Sequence, residues 1–170
     1  MVNPQRHNVR MNLIEAIVAS APGIAAIRRD LHAHPELCFK EGRTADGVAA
    51  KLAEWGVPVH RGLGTTGVVG IVKAGTSTRA IGLRADMDAL PMQEFNTFAH
   101  ASQHPGKMHA CGHDGHTAML LAAPQYLANH RNFDGTVYLI FQPAEEGGGG
   151  AREIFRVGLF EKIPVLSDFS

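Results

Sequence analysis

Apolar positions along the chain change their period several times, and each change predicts an element. Leu13, Ile14, Ile17 and Val18 fall on one face of a helix. A second helix is expected to start at Ser20-Ala21-Pro22, with Ser20 as cap and Pro22 in the first turn. Ile24, Ile27 and Leu31 line its face, and His34-Pro35 ends it because proline pushes its predecessor out of helical geometry. Residues 44–55 form a further amphipathic helix, with Val48, Leu52 and Trp55 on its stripe. Residues 67–73 and 79–85 are β-rich, and the short link Ala74-Gly75-Thr76-Ser77-Thr78 predicts a hairpin or a close antiparallel pair. Residues 87–113 carry no period. A helix over 115–129 follows, with Asp114 placed to cap it. Asn132-Phe133-Asp134-Gly135 then turns the chain into a buried strand at 136–142, which Pro143 closes, and Gly147 to Gly150 lead to a last helix at 151–157.

This alternation predicts one α/β unit. If 79–85 and 136–142 are parallel neighbours, the helix between them is their crossover, and the site lies beyond the carboxyl ends of the strands. Asp86 and Asp88 follow one strand and Glu145 and Glu146 the other, while Cys111, His113 and Asp114 come just before the crossover helix. Three segments thus deliver carboxylate, thiol and imidazole to one rim.

Cys111-Gly112-His113 is a short ligand pair whose spacing of two, in an extended segment, turns both side chains the same way. Thiolate and imidazole suit zinc, and the nearby carboxylates admit manganese. A buried free cysteine beside a helix-capping turn is the plainer reading of Cys-x-His alone. In Glu145-Glu146 one carboxylate can bind a metal while its neighbour takes the proton of an attacking water; adjacent glutamates are otherwise a solvated pair. His116 is either a group that orients the ligands or an exposed first-turn residue, the latter being the plainer reading, and His32 and His34 read as solvated or capping groups at a helix end. Cys111 as a nucleophile, with His113 or His109 as base, is the rival chemistry. The glycine run lacks the Gly-Lys-Ser/Thr of a phosphate loop and reads as a flexible turn.

Composition narrows the classes. Sixteen basic residues balance sixteen acidic ones, which speaks against nucleic acid or an anionic membrane as partner. The two cysteines are too few for a disulfide framework and suit a reducing compartment, so a cytoplasmic location is expected. Arg6, Arg10 and the apolar stretch before Ala19-Ser20-Ala21 imitate a signal peptide, but Asn12 and Glu15 interrupt that stretch and Pro22 would follow the cut. Histidine is the informative excess: five of the ten lie between His100 and His116.

Four ordered motifs carry a family resemblance: Arg28-Arg29-Asp30-Leu31-His32-Ala33-His34-Pro35-Glu36, Gly82-Leu83-Arg84-Ala85-Asp86-Met87-Asp88-Ala89-Leu90-Pro91, His109-Ala110-Cys111-Gly112-His113-Asp114-Gly115-His116 and Phe141-Gln142-Pro143-Ala144-Glu145-Glu146-Gly147. Together they resemble the bacterial hippurate hydrolases and plant indole-acetyl-amino-acid hydrolases of the aminoacylase and carboxypeptidase family. The resemblance implies a three-layer, zinc-exopeptidase-like catalytic domain that cleaves the amide of a small N-acyl amino acid with two divalent ions, zinc or manganese. It implies Cys111, His113 and Glu146 as metal ligands, Glu145 as general base, and Asp86 and Asp88 as groups that orient the ligands. It also implies two further ligand histidines after the double glutamate and an inserted dimerisation domain, whereas the last histidine here is His130.

The expectation is therefore an N-terminal portion of that catalytic domain over 11–160. Residues 1–10 read as a non-native extension, and 161–170 as an aberrant tail of the kind a frameshift or premature stop produces. Pro124 inside a helix, at ~3 kcal/mol, and Gly47 inside another, at about 1 kcal/mol, fit a broken gene copy. Such a chain is expected to be inactive in isolation and not to form a homodimer. The alternative is a non-catalytic metal-binding or interaction fragment, or, further off, a cysteine-nucleophile hydrolase.

Overall fold

The computed structural model describes residues 14–159, so the expectations for 1–10 and 161–170 lie outside it. The elements are α1 (Glu15–Ala33), α2 (Gly42–Glu54), β1 (Val59–Leu63), β2 (Gly67–Ala74), β3 (Ala80–Asp86), α3 (His113–Asn129), β4 (Gly135–Gln142) and α4 (Gly150–Arg156). The strands form one sheet in the order β1-β2-β4-β3. β2 pairs antiparallel with both β1 and β4, whereas β3 and β4 run parallel, as expected from the crossover helix α3 between them.

Alternation along the two central strands sorts the core into two faces. Val68, Val72, Val137, Leu139 and Phe141 meet Val48 and Leu52 of α2 and Leu120 and Leu121 of α3. Val69 and Tyr138 turn the other way, toward Ile154 of α4 and Leu159. Helices thus cover both faces, with α1 lying against α3, and the α/β layering predicted from the sequence is present. α2 comes close to the sheet because position 70 is glycine: a Cβ there would sit 3.1 Å from a Leu52 methyl and 3.3 Å from Val57.

Three expectations need correction. The 67–73 and 79–85 runs do not form a hairpin, because β4 lies between them. Their link is instead held to the turn before β4, where Asp134 Oδ1 accepts from the amides of Thr76 and Ser77, both at 2.8 Å. β2 hairpins with β1, a strand whose mostly exposed residues gave no periodic signal. The two helices expected before His34 are one, α1, with Pro22 inside it. Ser20 does not cap; its hydroxyl donates to the Ile17 carbonyl at 2.9 Å. Pro22 leaves the Val18 carbonyl without its helical donor, and this stretch is exposed, so water reaches it.

Leu52 is fully buried where α2, Gly70 and Val57 meet. Leu52→Ala should therefore cost about 2–5 kcal/mol. The expected readout is a lower urea midpoint with unchanged slope; an unchanged midpoint would show that α2 is not part of the cooperative core.

Candidate metal centre

β3 and β4 end level with each other, Asp86 opposite Gln142, and the Met87 amide still donates to the Gln142 carbonyl at 3.0 Å. Beyond that point the chain of β3 supplies Asp88, that of β4 supplies Glu145 and Glu146, and the first turn of α3 faces both. The structure therefore brings together the three segments that the sequence reading placed on one rim. Cys111 and His113 reach the same space, though not through an extended segment. Gly112 is left-handed, at φ 81°, and the turn it makes into α3 aims the two side chains.

His113 is the centre of the arrangement, with its side chain 5% exposed. Its Nδ1 lies 2.8 Å from the Asp88 carbonyl and 3.2 Å from Asp88 Oδ1. A ring that donates from Nδ1 presents a lone pair at Nε2. Around Nε2 stand Asp86 Oδ1 at 3.6 Å, Glu146 Oε1 at 3.8 Å and Glu145 Oε2 at 3.9 Å. These separations are too long for hydrogen bonds. Ligands at 2.0–2.3 Å in tetrahedral array stand about 3.3–3.8 Å apart, a spacing that the Asp86 and Glu146 separations meet and that of Glu145 slightly exceeds.

Cys111, His113 and Glu146 each offer a donor atom within 4.8 Å of the others, as do Asp86, His113 and His116. Both groups use His113, whose Nδ1 is committed to Asp88. One Nε2 lone pair serves one ion, so these donors fit a single zinc or manganese ion; thiolate and imidazole favour zinc.

Asp88, buried, accepts from the Glu146 amide at 2.9 Å and the Cys38 thiol at 3.2 Å through Oδ2, so it joins all three segments. Asp86 accepts from His116 Nδ1 at 2.6 Å and pairs with Arg84 at 2.9 Å. Burial alone would raise the Asp86 pKa, but the His116 hydrogen bond and the charges of His113 and Arg84 outweigh it and hold the pKa below the ordinary value. His116, expected as a merely exposed residue, is half exposed yet tied to the site by this bond.

Two more expectations change. Asp114 does not cap α3; it lies in the first turn, buried, and its Oδ2 meets His32 Nδ1 at 2.9 Å and Arg28 Nε at 3.2 Å. His32 is accordingly buried rather than solvated, and its Nε2 stands 3.2 Å from Glu94 Oε1. Glu94 also accepts from the Ser102 amide at 2.6 Å and from Asn96 at 2.9 Å, so it orders the irregular segment that carries the histidines. His34 keeps the peripheral role expected, at 2.8 Å from the Asp30 carbonyl. His109 is buried, and neither ring nitrogen finds a partner among the described residues. Burial pushes its pKa down to about 4, so the ring is neutral near pH 7. Sequence reasoning missed Glu94 and Cys38, because nothing local marks the contact of Cys38 with Asp88 or of Glu94 with His32, each joining positions far apart in the chain.

The electrostatics speak against Cys111 as a nucleophile. The Glu146 carboxylate facing its thiol, followed by desolvation and the charges of Glu145 and Asp88, raises the thiol pKa. Activated thiolates need cationic surroundings. A divalent ion is what this ring of carboxylates, thiol and imidazole is suited to hold.

The sequence model of Peptidase family M20/M25/M40 matches residues 82–169. Hippurate hydrolase of Campylobacter jejuni subsp. jejuni is 53% identical over 153 residues, which are 90% of this chain and 40% of that protein. IAA-amino acid hydrolase ILR1-like 4 of Arabidopsis thaliana is 49% identical over 144 residues, 84% of this chain and 32% of that one. Among solved structures, the YXEP protein of Bacillus subtilis, described as a dinuclear metal-binding peptidase of the M20 family, superposes with a TM-score of 0.80 at 40% identity. That match covers 85% of this chain and 41% of the other. The chain thus spans about two fifths or less of the length of these relatives.

A raised thiol pKa means less thiolate at any given pH. Iodoacetamide should therefore modify Cys111 with a half-maximal rate above the usual thiol value of about 8.5. Cys38, whose burial and Asp88 contact push it up to about 11, should react more slowly still. A Cys111 half-maximum below the usual value would put an active thiolate there and restore the nucleophile reading.

Proposed function

The chain belongs to peptidase family M20/M25/M40, and from that premise we propose that it forms the metal-ligating rim of an amidohydrolase acting on small N-acyl amino acids of the hippurate type. The observation that carries this reading is His113 Nε2, which has no hydrogen-bond partner among the described residues and is ringed by three carboxylates at 3.6–3.9 Å. The likeness to hippurate hydrolase and to an IAA-amino acid hydrolase supports the substrate class. Cys111, His113 and Glu146 are the ligands in this proposal, and Glu145 is the general base.

A divalent ion held there supplies Lewis-acid polarisation of the scissile carbonyl and eases deprotonation of water. The chain's own residues do the rest. Asp88 fixes the His113 ring through Nδ1, so that Nε2 faces the ion. Glu145, the more exposed of the two glutamates, faces the same space and is placed to take a proton from water and return it to the leaving amine. Asp86, held ionised by His116 and Arg84, adds negative charge that favours a cation.

Dinuclear chemistry of the kind described for the YXEP protein needs more donors than the described residues bring together. We expect the isolated chain to bind one ion at most and to leave hippurate uncleaved, which makes it a metal-binding unit rather than a working enzyme when alone. No described helix is long and apolar enough to cross a membrane, and the unpaired Cys38 and Cys111 suit a reducing, cytoplasmic compartment.

Elemental analysis after loading with zinc or manganese tests this directly. At most one ion per chain is expected, with affinity falling at least about tenfold in both Cys111→Ser and Glu146→Ala. Two firmly held ions, or hippurate turnover that a chelator abolishes, would refute the one-ion, inactive reading. Full affinity in both variants would refute the ligand assignment.

A further inference from the structure

Among the described residues, the non-glycine residues with positive φ are Phe39 at 59°, Thr65 at 81° and Ala144 at 52°. Side chains rarely adopt this conformation unless something holds them there. All three border one group, the carboxylate of Glu41. Its Oε1 accepts from the Phe39 amide at 3.1 Å and from the Ala144 amide at 2.8 Å. Its Oε2 accepts from the hydroxyl of Thr66, next to Thr65, at 2.6 Å. Glu41 is 0% exposed, so this carboxylate is met by amides and a hydroxyl rather than by bulk water.

Ala144, also wholly buried, is the residue at which β4 turns toward Glu145 and Glu146. Its carbonyl accepts from the Gly150 amide at 3.0 Å, which closes the Glu145–Gly149 excursion as a loop. The direction of both glutamate side chains therefore depends on the left-handed turn at Ala144. Without an acceptor at Glu41, that amide would be buried unpaired and the turn would have no reason to persist.

We propose that Glu41 is a positioning residue for the metal centre: by accepting the Ala144 amide it holds the left-handed turn that aims Glu145 and Glu146 at His113 Nε2. The inference rests on the reading of Glu146 as a ligand. It assigns a role to a residue that lies about a hundred positions from the glutamates it directs, on the segment that leads into α2.

Cobalt(II) binding by the full chain, followed by visible absorption, tests it. Glu41→Met keeps the volume and removes the acceptor, so affinity should fall about 10–100-fold. Glu41→Gln, which keeps an acceptor at Oε1, should stay within about threefold of the unsubstituted chain, as the carbonyl oxygen can still take the Ala144 amide. If Glu41 acts through Glu146, Glu41→Met with Glu146→Ala should bind no more weakly than Glu146→Ala alone. Adding Ala144→Gly to Glu41→Met should restore most of the loss, because glycine holds positive φ without support.

Unchanged affinity in a folded Glu41→Met, or losses that multiply in the double variant, would overturn the proposal. Unchanged affinity in Glu146→Ala would instead overturn the ligand reading on which it stands. Amide exchange on the unsubstituted chain decides the matter even if Glu41→Met fails to fold. The Ala144 amide should be as protected as those of β4, and exchange at a loop rate would overturn the proposal.

Discussion

The carboxylate of Asp88 has no exposed surface, and a charge so placed must be met by donors from every side. It is met by His113 from the start of α3, by the Glu146 amide from the turn after β4 and by Cys38 from the segment before α2. Each of these segments would otherwise be an independent loop. Joined at one buried acid, they have little freedom to move apart, and the donor atoms of Cys111, His113 and Glu146 stay within reach of one ion. The Asp88 backbone carbonyl adds the bond that sets the His113 ring.

A second buried polar joint lies behind the first. His32 stands between Asp114 and Glu94, and Glu94 in turn gathers the Ser102 amide and the Asn96 side chain. The segment between β3 and α3 offers few apolar residues to the core, so hydrogen bonds to buried acids are what give it a defined course. Glu41 does the same for the turn after β4. The candidate metal centre is thus surrounded by acids that hold backbone and by acids that face His113 Nε2. Glu41, Glu94 and Asp88 accept from backbone amides, while Glu145 and Glu146 turn toward His113 Nε2, with Glu146 also meeting the Cys111 thiol.

That division gives the site its chemistry. Carboxylates crowded beside an imidazole and a thiol form a donor set suited to a divalent cation. The same charges raise the Cys111 thiol pKa, which speaks against a nucleophilic thiolate there.

The sequence by itself determined the α/β layering, the parallel β3–β4 pair and the rim where Asp86, Asp88, Cys111, His113, Glu145 and Glu146 gather. It did so because strand and helix periods are local, and because a crossover between parallel strands leaves only one end for polar groups. Tertiary structure alone decided the rest. It put β4 between β2 and β3, where the sequence suggested a hairpin, since which strands pair depends on long-range burial and not on the length of a link. It merged two expected helices into α1, because exposed backbone tolerates Pro22. It made His32 and Asp114 a buried pair and brought the Ala144 amide to Glu41 and His32 to Glu94, because these contacts join positions far apart in the chain.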